Sequence, residues 1–556
     1  MLDRAAVDSL FPPDLPETAE WEQRYPARDV PSGAFVTRFG PSPTGFVHIG
    51  GIYTAMVSRD LAHASDGVYF LRIEDTDQAR EVAGADAQFA RAFDAFDLRP
   101  DEGPTSRTGD DGPYAPYRQS ERSAIYLSFV RELMRQGRAY PDFATKDELA
   151  EISERQRTLK LPTGYYGRWA PWRDADDDEV RRRLEAGDPY VVRFRSEGRV
   201  GERVAFTDRL RGRVEAEDNH NDVVILKTSA TLDTGGLRLP TYHFAHAVDD
   251  HLMRTSLVVR GDEWLSSVPT HLQLFAALGF PQVEYAHLAP LMKQEGSSRR
   301  KLSKRKDAEA SVDFYLEAGY PAEAVLAYLR GLANARLAEL PVPEALATPL
   351  RLDDFQAAGP LVDTVKLADI CADFVATLPA PEVLAAVRGW AATYDPELVE
   401  VLDEHEALAL AAIDVERIGV ENPRKDLARW SDFRSAYGFF FPALFTDVTD
   451  PADERFNGLA PEIVHALAAD LAAGYTHEGD QPTWFQQIRD LAESHGFAPN
   501  PKTYKKDPDA FPGMLRDAAN VIRVLLTGAQ RSPDLYEVTR VLGADEVVRR
   551  LGALGR

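Results

Sequence analysis

Apolar residues follow two different rhythms along this chain. In the first part, short apolar runs alternate with helical spacing. Ala34–Phe39 is a short β-rich run, Ile52–Ala64 carries apolar residues three and four apart, and Val68–Ile73 is a second apolar run. Spacing of three and four lines one helix face, whereas a continuous run suits a strand buried on both sides. Strand, glycine-containing turn, helix, strand predicts a βαβ unit, hence a parallel sheet with a right-handed crossover. Val191–Arg195, Val223–Lys227 and Leu257–Arg260 predict further strands. Between them, Tyr140–Asp218 is rich in charge and turns and predicts an inserted α+β subdomain.

The second rhythm is helical throughout. Val325–Leu332, Val383–Trp390, Leu398–Ile413, Ile463–Leu471 and Ala518–Leu526 all space their apolar residues three and four apart, and β-branched alternation is scarce. This part predicts an all-α bundle or superhelix, with no fixed-period repeat and no low-complexity tract. Residues 1–33, with Pro12, Pro13, Pro16, Pro26 and Pro31, show little patterning and predict an extension, either disordered or strapped onto the body. The expected segments are 1–33, 34–139, 140–218, 219–330 and 331–556: an extension, an α/β domain split by an insertion, and a helical region.

Length supports several domains, because 556 residues exceed the roughly 250–300 that one core sustains. No apolar run approaches the roughly 20 residues needed to span a bilayer. Residues 1–33 lack a signal-peptide core, and the expectation is a cytoplasmic protein without membrane contact. The single cysteine, Cys371, excludes an internal disulfide and a cysteine-cluster zinc site. A net charge of −25 argues against a uniformly basic coat but not against a nucleic-acid partner, since phosphate binding depends on where Lys and Arg cluster.

Four motifs carry candidate chemistry. The first runs from Arg38 to Gly51, between a strand and a helix. Gly45, Gly50 and Gly51 let backbone approach a ligand, a helix N-terminus offers free N–H groups to an anion, and His48 can donate to a phosphate. A Gly/Pro-rich connector with an incidental histidine is the plainer alternative. The second is Lys301-Leu302-Ser303-Lys304-Arg305-Lys306, either a solvated basic loop or a pair of ammonium groups, Lys301 and Lys304, that neutralise a triphosphate. The third is Arg72-Ile73-Glu74-Asp75-Thr76-Asp77 at a strand end, where open α/β sheets bind ligands. Glu74 suits an ammonium group or, more plainly, a structural salt bridge. The fourth spans Pro240–Met253 and Val259–Leu265. Arg260 there suits a carboxylate, to which its planar fork is matched. His246, Asp249, Asp250 and His251 mimic a metal set, but Asp249 and Asp250 better fit a helix cap or a brace around the site. No metal ligand is assigned.

Taken together, these motifs resemble class I aminoacyl-tRNA synthetases of the glutamate type. His48-Ile49-Gly50-Gly51 resembles the HIGH signature and Lys301-Leu302-Ser303-Lys304-Arg305 the KMSKS signature. Arg38–Gly45, Arg72–Asp77, Tyr114–Ser120 and 240–265 also resemble that branch. The likeness covers roughly residues 35–330 and fades in the helical half, where Trp430-Ser431-Asp432-Phe433 alone hints at it.

The resemblance implies a Rossmann-like catalytic domain, an acceptor-binding insertion and an all-α anticodon-binding region. It implies ATP-dependent activation of L-glutamate and its transfer to tRNA(Glu), with Mg²⁺ sharing the charge of ATP, by a monomer. ATP would be held by His48, Gly50, Gly51, Lys301 and Lys304. Of these, His48, Lys301 and Lys304 would act catalytically. Arg38, Ser42, Glu74, Tyr242 and Arg260 would surround glutamate. The family's zinc-binding cysteines have no counterpart in Pro141–Ala144, so no structural zinc is expected. Thr231–Leu239 reads as an insertion, Gly296–Arg300 as a lengthening of the lysine loop, and His246 as a departure.

Four rivals stand beside this reading. One is a non-discriminating enzyme that also charges tRNA(Gln). A glutamine-type synthetase would normally carry β-barrel anticodon domains, against which the helical pattern argues. A short tRNA-modifying paralog would stop about 225 residues earlier. A catalytically silent RNA-binding paralog would not need His48, Lys301, Lys304, Glu74 and Arg260 together.

Overall fold

The computed structural model describes the chain except residues 1, 44–46, 78–81, 83, 105, 107–108, 110, 230–237, 357, 418 and 555–556, and the side chains of 85 and 86. Gly45 and most of the Thr231–Leu239 insertion therefore lie outside the described residues. The chain forms two compact units, Met1–Phe314 with Leu326–Asp363, and Tyr315–Val325 with Thr364–Arg556.

The first unit holds eleven strands among its described residues: β1 (Val36–Phe39), β2 (Val68–Leu71), β3 (Ala139–Asp142), β4 (Val191–Phe194), β5 (Arg203–Asp208), β6 (Gly212–Glu217), β7 (Val224–Leu226), β8 (Leu257–Gly261), β9 (Glu284–Leu288), β10 (Met292–Glu295) and β11 (Ser298–Lys301). β1 and β2 run parallel, from Val36 opposite Val68 to Phe39 opposite Leu71, joined by the helix Ile49–His63. β8 and β9 repeat the arrangement around the helix Val268–Leu278. Ser256 ties the pairs together: its N–H donates to Val36 O at 3.0 Å and its Oγ accepts from Val36 N–H at 2.8 Å. The resulting order is β2-β1-β8-β9, extended by the β5–β6 hairpin through Asp208 opposite Tyr285. Val36, Tyr69, Phe70, Leu71, Leu257, Val258 and Val259 are buried, as expected of parallel strands covered on both faces. The C-terminal ends of β1, β2, β8 and β9 consequently share one edge.

A separate antiparallel sheet, β3-β4-β7, carries the helices Lys146–Thr158 and Asp177–Glu185. Val192, Phe194, Ile225 and Leu226 are buried in apolar packing, and buried polar groups tie the strands as well. Asp142 pairs with Arg193 and accepts from Tyr165 Oη–H at 2.8 Å, while Asp222 pairs with Arg173 and accepts from Tyr140 Oη–H at 2.6 Å.

The Pro-rich extension is strapped down. Val7, Phe11, Leu15, Trp21 and Tyr25 join the same apolar core as Ile125, Phe129 and Leu133 of the helix Ser123–Arg135. Trp21 Nε1–H donates to Ser128 Oγ at 2.9 Å, and Arg28 grips Glu102 with two bonds of 2.7 and 2.9 Å. Prolines obscured this in the sequence, although the buried residues recur every four positions, at 7, 11 and 15 and again at 21 and 25, and two short helices, Arg4–Asp8 and Thr18–Arg24, form there.

The second unit forms no strand among its described residues. One core gathers Val383, Val387, Leu398, Leu402, Ile413 and Phe433; another gathers Val464, Leu467, Trp484, Val521, Leu525 and Val547. The stretch expected as one helix over Leu398–Ile413 is two, Pro396–Glu404 and Glu406–Asp414, broken at His405. Apolar spacing passes across that break undisturbed, so periodicity alone could not reveal it.

Candidate active site

A cavity of about 650 Å³ opens at the C-terminal edge of the parallel sheet. Arg38, Ser42, His48, Gly50, Gly51, Glu74, Tyr242, Arg260 and Lys301 all line it. Four distant stretches of sequence thus meet there because β1, β2 and β8 end side by side.

Backbone geometry fixes the first wall. Glu74 N–H donates to Pro41 O at 2.9 Å, and a Cβ on Gly40 would collide with the Glu74 carboxylate. His48 caps the helix Ile49–His63: its Nδ1 accepts from Gly50 N–H at 2.8 Å. A Cβ on Gly50 would lie 3.0 Å from that nitrogen, and one on Gly51 would lie 3.4 Å from Phe39 Cζ. The Gly-Gly pair therefore leaves room for the cap and for the phenyl ring.

The cap also sets the imidazole's proton. Burial, then the charges of Lys304 and Lys301, hold the His48 ring down to about 4, so it is neutral near pH 7. With Nδ1 accepting, the one ring proton must sit on Nε2, which makes His48 a donor. Lys304 does not line the cavity, yet its charge reaches His48; burial lowers Lys304 itself. Lys301 Nζ lies 3.4 Å from Glu263 Oε2. Asp307 stiffens the loop: it accepts from Ser303 N–H at 2.9 Å and from both Arg300 Nη groups at 2.6 and 2.8 Å.

The opposite end of the cavity is a lattice of buried charges. Arg72 donates to Glu74 Oε1 at 2.8 Å and to Asp250 Oδ1 at 2.7 Å. Arg38 Nε lies 3.2 Å from Asp250 Oδ1. Burial raises Glu74, while Arg72 and Arg38 oppose the rise. Asp249 accepts from Arg122 Nε–H at 2.7 Å and from Tyr126 Oη–H at 2.7 Å. Both aspartates sit late in the helix Tyr242–Leu252, where they brace arginines rather than cap an N-terminus. His246 Nδ1 lies 2.7 Å from Asp250 Oδ2 and His251 pairs with Glu22 at 2.5 Å.

Arg260 is held differently. Its Nε–H donates to His287 Nε2 at 3.0 Å, Nη1–H to Tyr242 Oη at 3.4 Å, and Nη2–H to His271 Nδ1 at 3.3 Å and Trp264 O at 3.4 Å. Sequence reasoning missed His271, His287 and Asp208. A histidine closing an otherwise apolar strand, Tyr285-Ala286-His287-Leu288, was the available signal.

Residues 34–348 match the family model of class I tRNA synthetases (E and Q), catalytic domain, and residues 514–554 match an anticodon binding domain. A glutamate–tRNA ligase of Clostridium perfringens is 40% identical over 98% of this chain and 99% of its own length. One from Acetivibrio thermocellus is 39% identical over 99% of each chain. A crystal structure of a glutamate tRNA ligase from Elizabethkingia meningosepticum, in complex with its amino acid, superposes with a TM-score of 0.73 at 26% identity, covering 93% of this chain and 98% of that one.

Proposed function

The chain belongs to the class I tRNA synthetases of the glutamate and glutamine type, and from that premise we propose that it activates L-glutamate with ATP and transfers it to tRNA(Glu). The observation that carries this reading is the convergence on one cavity of a neutral imidazole, a lysine loop and two buried guanidinium groups.

In the first step an oxygen of the glutamate α-carboxylate attacks the α-phosphorus of ATP. The bond from the α-phosphorus to the α,β-bridging oxygen breaks, and pyrophosphate leaves with its electron pair. In the second, a ribose hydroxyl of the terminal tRNA nucleotide attacks the activated carbonyl; AMP leaves and the hydroxyl proton is released. Neither step needs a protein nucleophile. The work is positioning and charge stabilisation, as in other phosphoryl chemistry.

His48 supplies its Nε2–H to a phosphate oxygen, Gly50 and Gly51 open the helix N-terminus to it, and Lys301 and Lys304 answer the charge that gathers on pyrophosphate. Arg38 and Arg260 take the two glutamate carboxylates. Glu74 takes the ammonium group through the oxygen that Arg72 does not use, while Ser42 and Tyr242 complete the wall. Mg²⁺ on the triphosphate would share the charge that Lys301 and Lys304 answer, and no step here runs through it. The helical unit, with its anticodon-domain match, reads the tRNA.

Pyrophosphate exchange, run with each amino acid in the presence and absence of tRNA(Glu), tests the proposal. Exchange with glutamate is expected. Exchange with glutamine alone would make this a glutamine-type enzyme, and none at all would favour a silent paralog. Side-by-side charging of tRNA(Glu) and tRNA(Gln) shows whether it discriminates.

A further inference from the structure

Residues 1–33 precede the segment that matches the synthetase catalytic domain, and none of the described ones lines the cavity. The second helix of this extension, Thr18–Arg24, is followed by Tyr25, which is 1% exposed. From Glu22 to Arg28 the extension grips the outer end of the helix Tyr242–Leu252, which carries Asp249 and Asp250. Arg28 Nε–H donates to Met253 O at 2.9 Å, and Tyr25 O accepts from Arg254 Nε–H at 3.1 Å. Glu22 accepts from Arg254 Nη2–H at 2.8 Å and lies 2.5 Å from His251 Nε2.

Tyr25 also reaches the charged lattice behind the cavity. Arg38, Arg72 and Arg122 there meet Glu74, Asp249 and Asp250, three cations against three anions, none more than 7% exposed. Glu74 lines the cavity; Arg122 and Asp249 do not. Arg122 Nε–H donates to Asp249 Oδ1 at 2.7 Å and its Nη1–H to Pro116 O at 2.9 Å, while its Nη2 has no hydrogen-bond partner among the described residues. The Tyr25 ring faces that guanidinium, 5.4 Å from its carbon, and is fixed by its own hydroxyl, which donates to Ala115 O at 3.0 Å. A ring face attracts a desolvated cation without supplying a hydrogen bond. Asp249, so held, lies 3.9 Å from Arg72 Nε, and Arg72 holds Glu74 Oε1 at 2.8 Å. Each member of such a lattice depends on the rest, because a buried charge that loses its partner is left stranded.

We propose that the extension is the outer wall of the amino-acid site, and that Tyr25 is a positioning residue which fixes Arg122 and, through Asp249 and Arg72, the carboxylate of Glu74. The proposal rests on the ligase reading above, in which Glu74 takes the ammonium group of the substrate. His48 is held by Gly50 and the lysine loop by Asp307, so a disturbance at Tyr25 reaches the amino acid rather than ATP.

The test replaces Tyr25 in the full chain by phenylalanine and by phenylalanines carrying one, three and five ring fluorines, and measures pyrophosphate exchange with tRNA(Glu) present. Fluorine nearly keeps the shape of the ring and drains its negative face. Tyr25→Phe should keep the glutamate KM within about threefold of wild type. Fluorination should then raise it stepwise, to about threefold to thirtyfold above Tyr25→Phe at five fluorines, with the ATP KM within about twofold. Leu15→Ala, ten positions earlier in the same extension, is the control: it should lower the melting temperature and leave the glutamate KM alone. Should the fluorinated chains fail to fold, Arg122→Lys keeps the charge and loses the planar fork, and the same rise in glutamate KM with a flat ATP KM is expected. A glutamate KM indifferent to fluorination, or unchanged in Arg122→Lys, would overturn the proposal. Equal rises for glutamate and ATP, or an equal rise in Leu15→Ala, would mark a merely structural strap and overturn it likewise. A wild type without glutamate-dependent exchange would overturn the ligase reading itself, whereas the KM pattern among active variants bears on the wall alone.

Discussion

At the scale of single residues, the same imidazole caps a helix and offers a proton donor. Because His48 Nδ1 is spent on Gly50, its Nε2–H is available without any protonation event. Its value is lowered to about 4, so the unfolded chain takes up a proton first as the pH falls from 6.5. The stability this ring contributes is therefore complete above 6.5 and erodes toward 4. Melting temperatures of wild type should fall more steeply across that window than those of His48→Asn. The exchange rate of His48→Asn should drop about tenfold to a thousandfold, with its acid limb unmoved. In the proposed mechanism Lys304 answers charge that appears only as pyrophosphate departs. Lys304→Ala should slow adenylate formation by about a hundredfold or more while glutamate binding changes by less than about threefold. Equal losses in single-turnover rate and binding would refute a transition-state role. Residue types in these motifs were readable in the sequence; the neutral state of His48 and the partners of Arg260 were not, because both depend on groups that folding brings together, such as the Lys304 charge near His48 and His287, 27 positions from Arg260.

At the scale of elements, the β3-β4-β7 sheet is tied together by buried ion pairs. Asp142, in the stretch Pro141–Ala144, is tied to Arg193 and Tyr165, and Arg193 stacks over the Tyr165 ring at 4.0 Å. Breaking one side of a buried pair leaves the other charge stranded. Asp142→Ala should therefore cost about 3–5 kcal/mol in this sheet, read as lost amide-exchange protection of β3 and β4. Chelator treatment should leave that protection unaltered. The strap makes a parallel case. Trp21 is buried and bonded to Ser128, and Trp21→Ala should cost about 3–5 kcal/mol, measured by denaturant melting. Apolar periodicity announced the parallel strands and most helices, because burial on two faces or along one stripe writes itself into spacing. The strap went unread because prolines interrupt the four-residue spacing of its anchors.

At the scale of the whole molecule, charge is distributed unevenly. Residues 364–499 carry 9 Lys and Arg against 24 Asp and Glu, whereas residues 500–556 carry 10 against 7. Lys502, Lys505 and Lys506 are exposed together on the short helix Pro501–Lys506, beside the anticodon-domain match. A net charge of −25 thus coexists with a local basic face, as phosphate recognition requires. Replacing those three lysines with glutamate should raise the KM for tRNA and flatten its salt dependence, while glutamate and ATP KM values stay within about twofold. An unchanged salt slope would place the RNA elsewhere.

The sequence by itself determined the two-part architecture, the strand-turn-helix-strand that opens the sheet, and the residue types that line the candidate cavity. Periodicity and local motif chemistry act over a few positions, and a linear reading retains them. Tertiary structure alone decided which groups answer each buried charge: Asp250 for Arg38 and Arg72, the rings of His287 and His271 for Arg260. Compensation is a matter of ångströms between groups brought together by the fold, and distance along the chain carries no record of it.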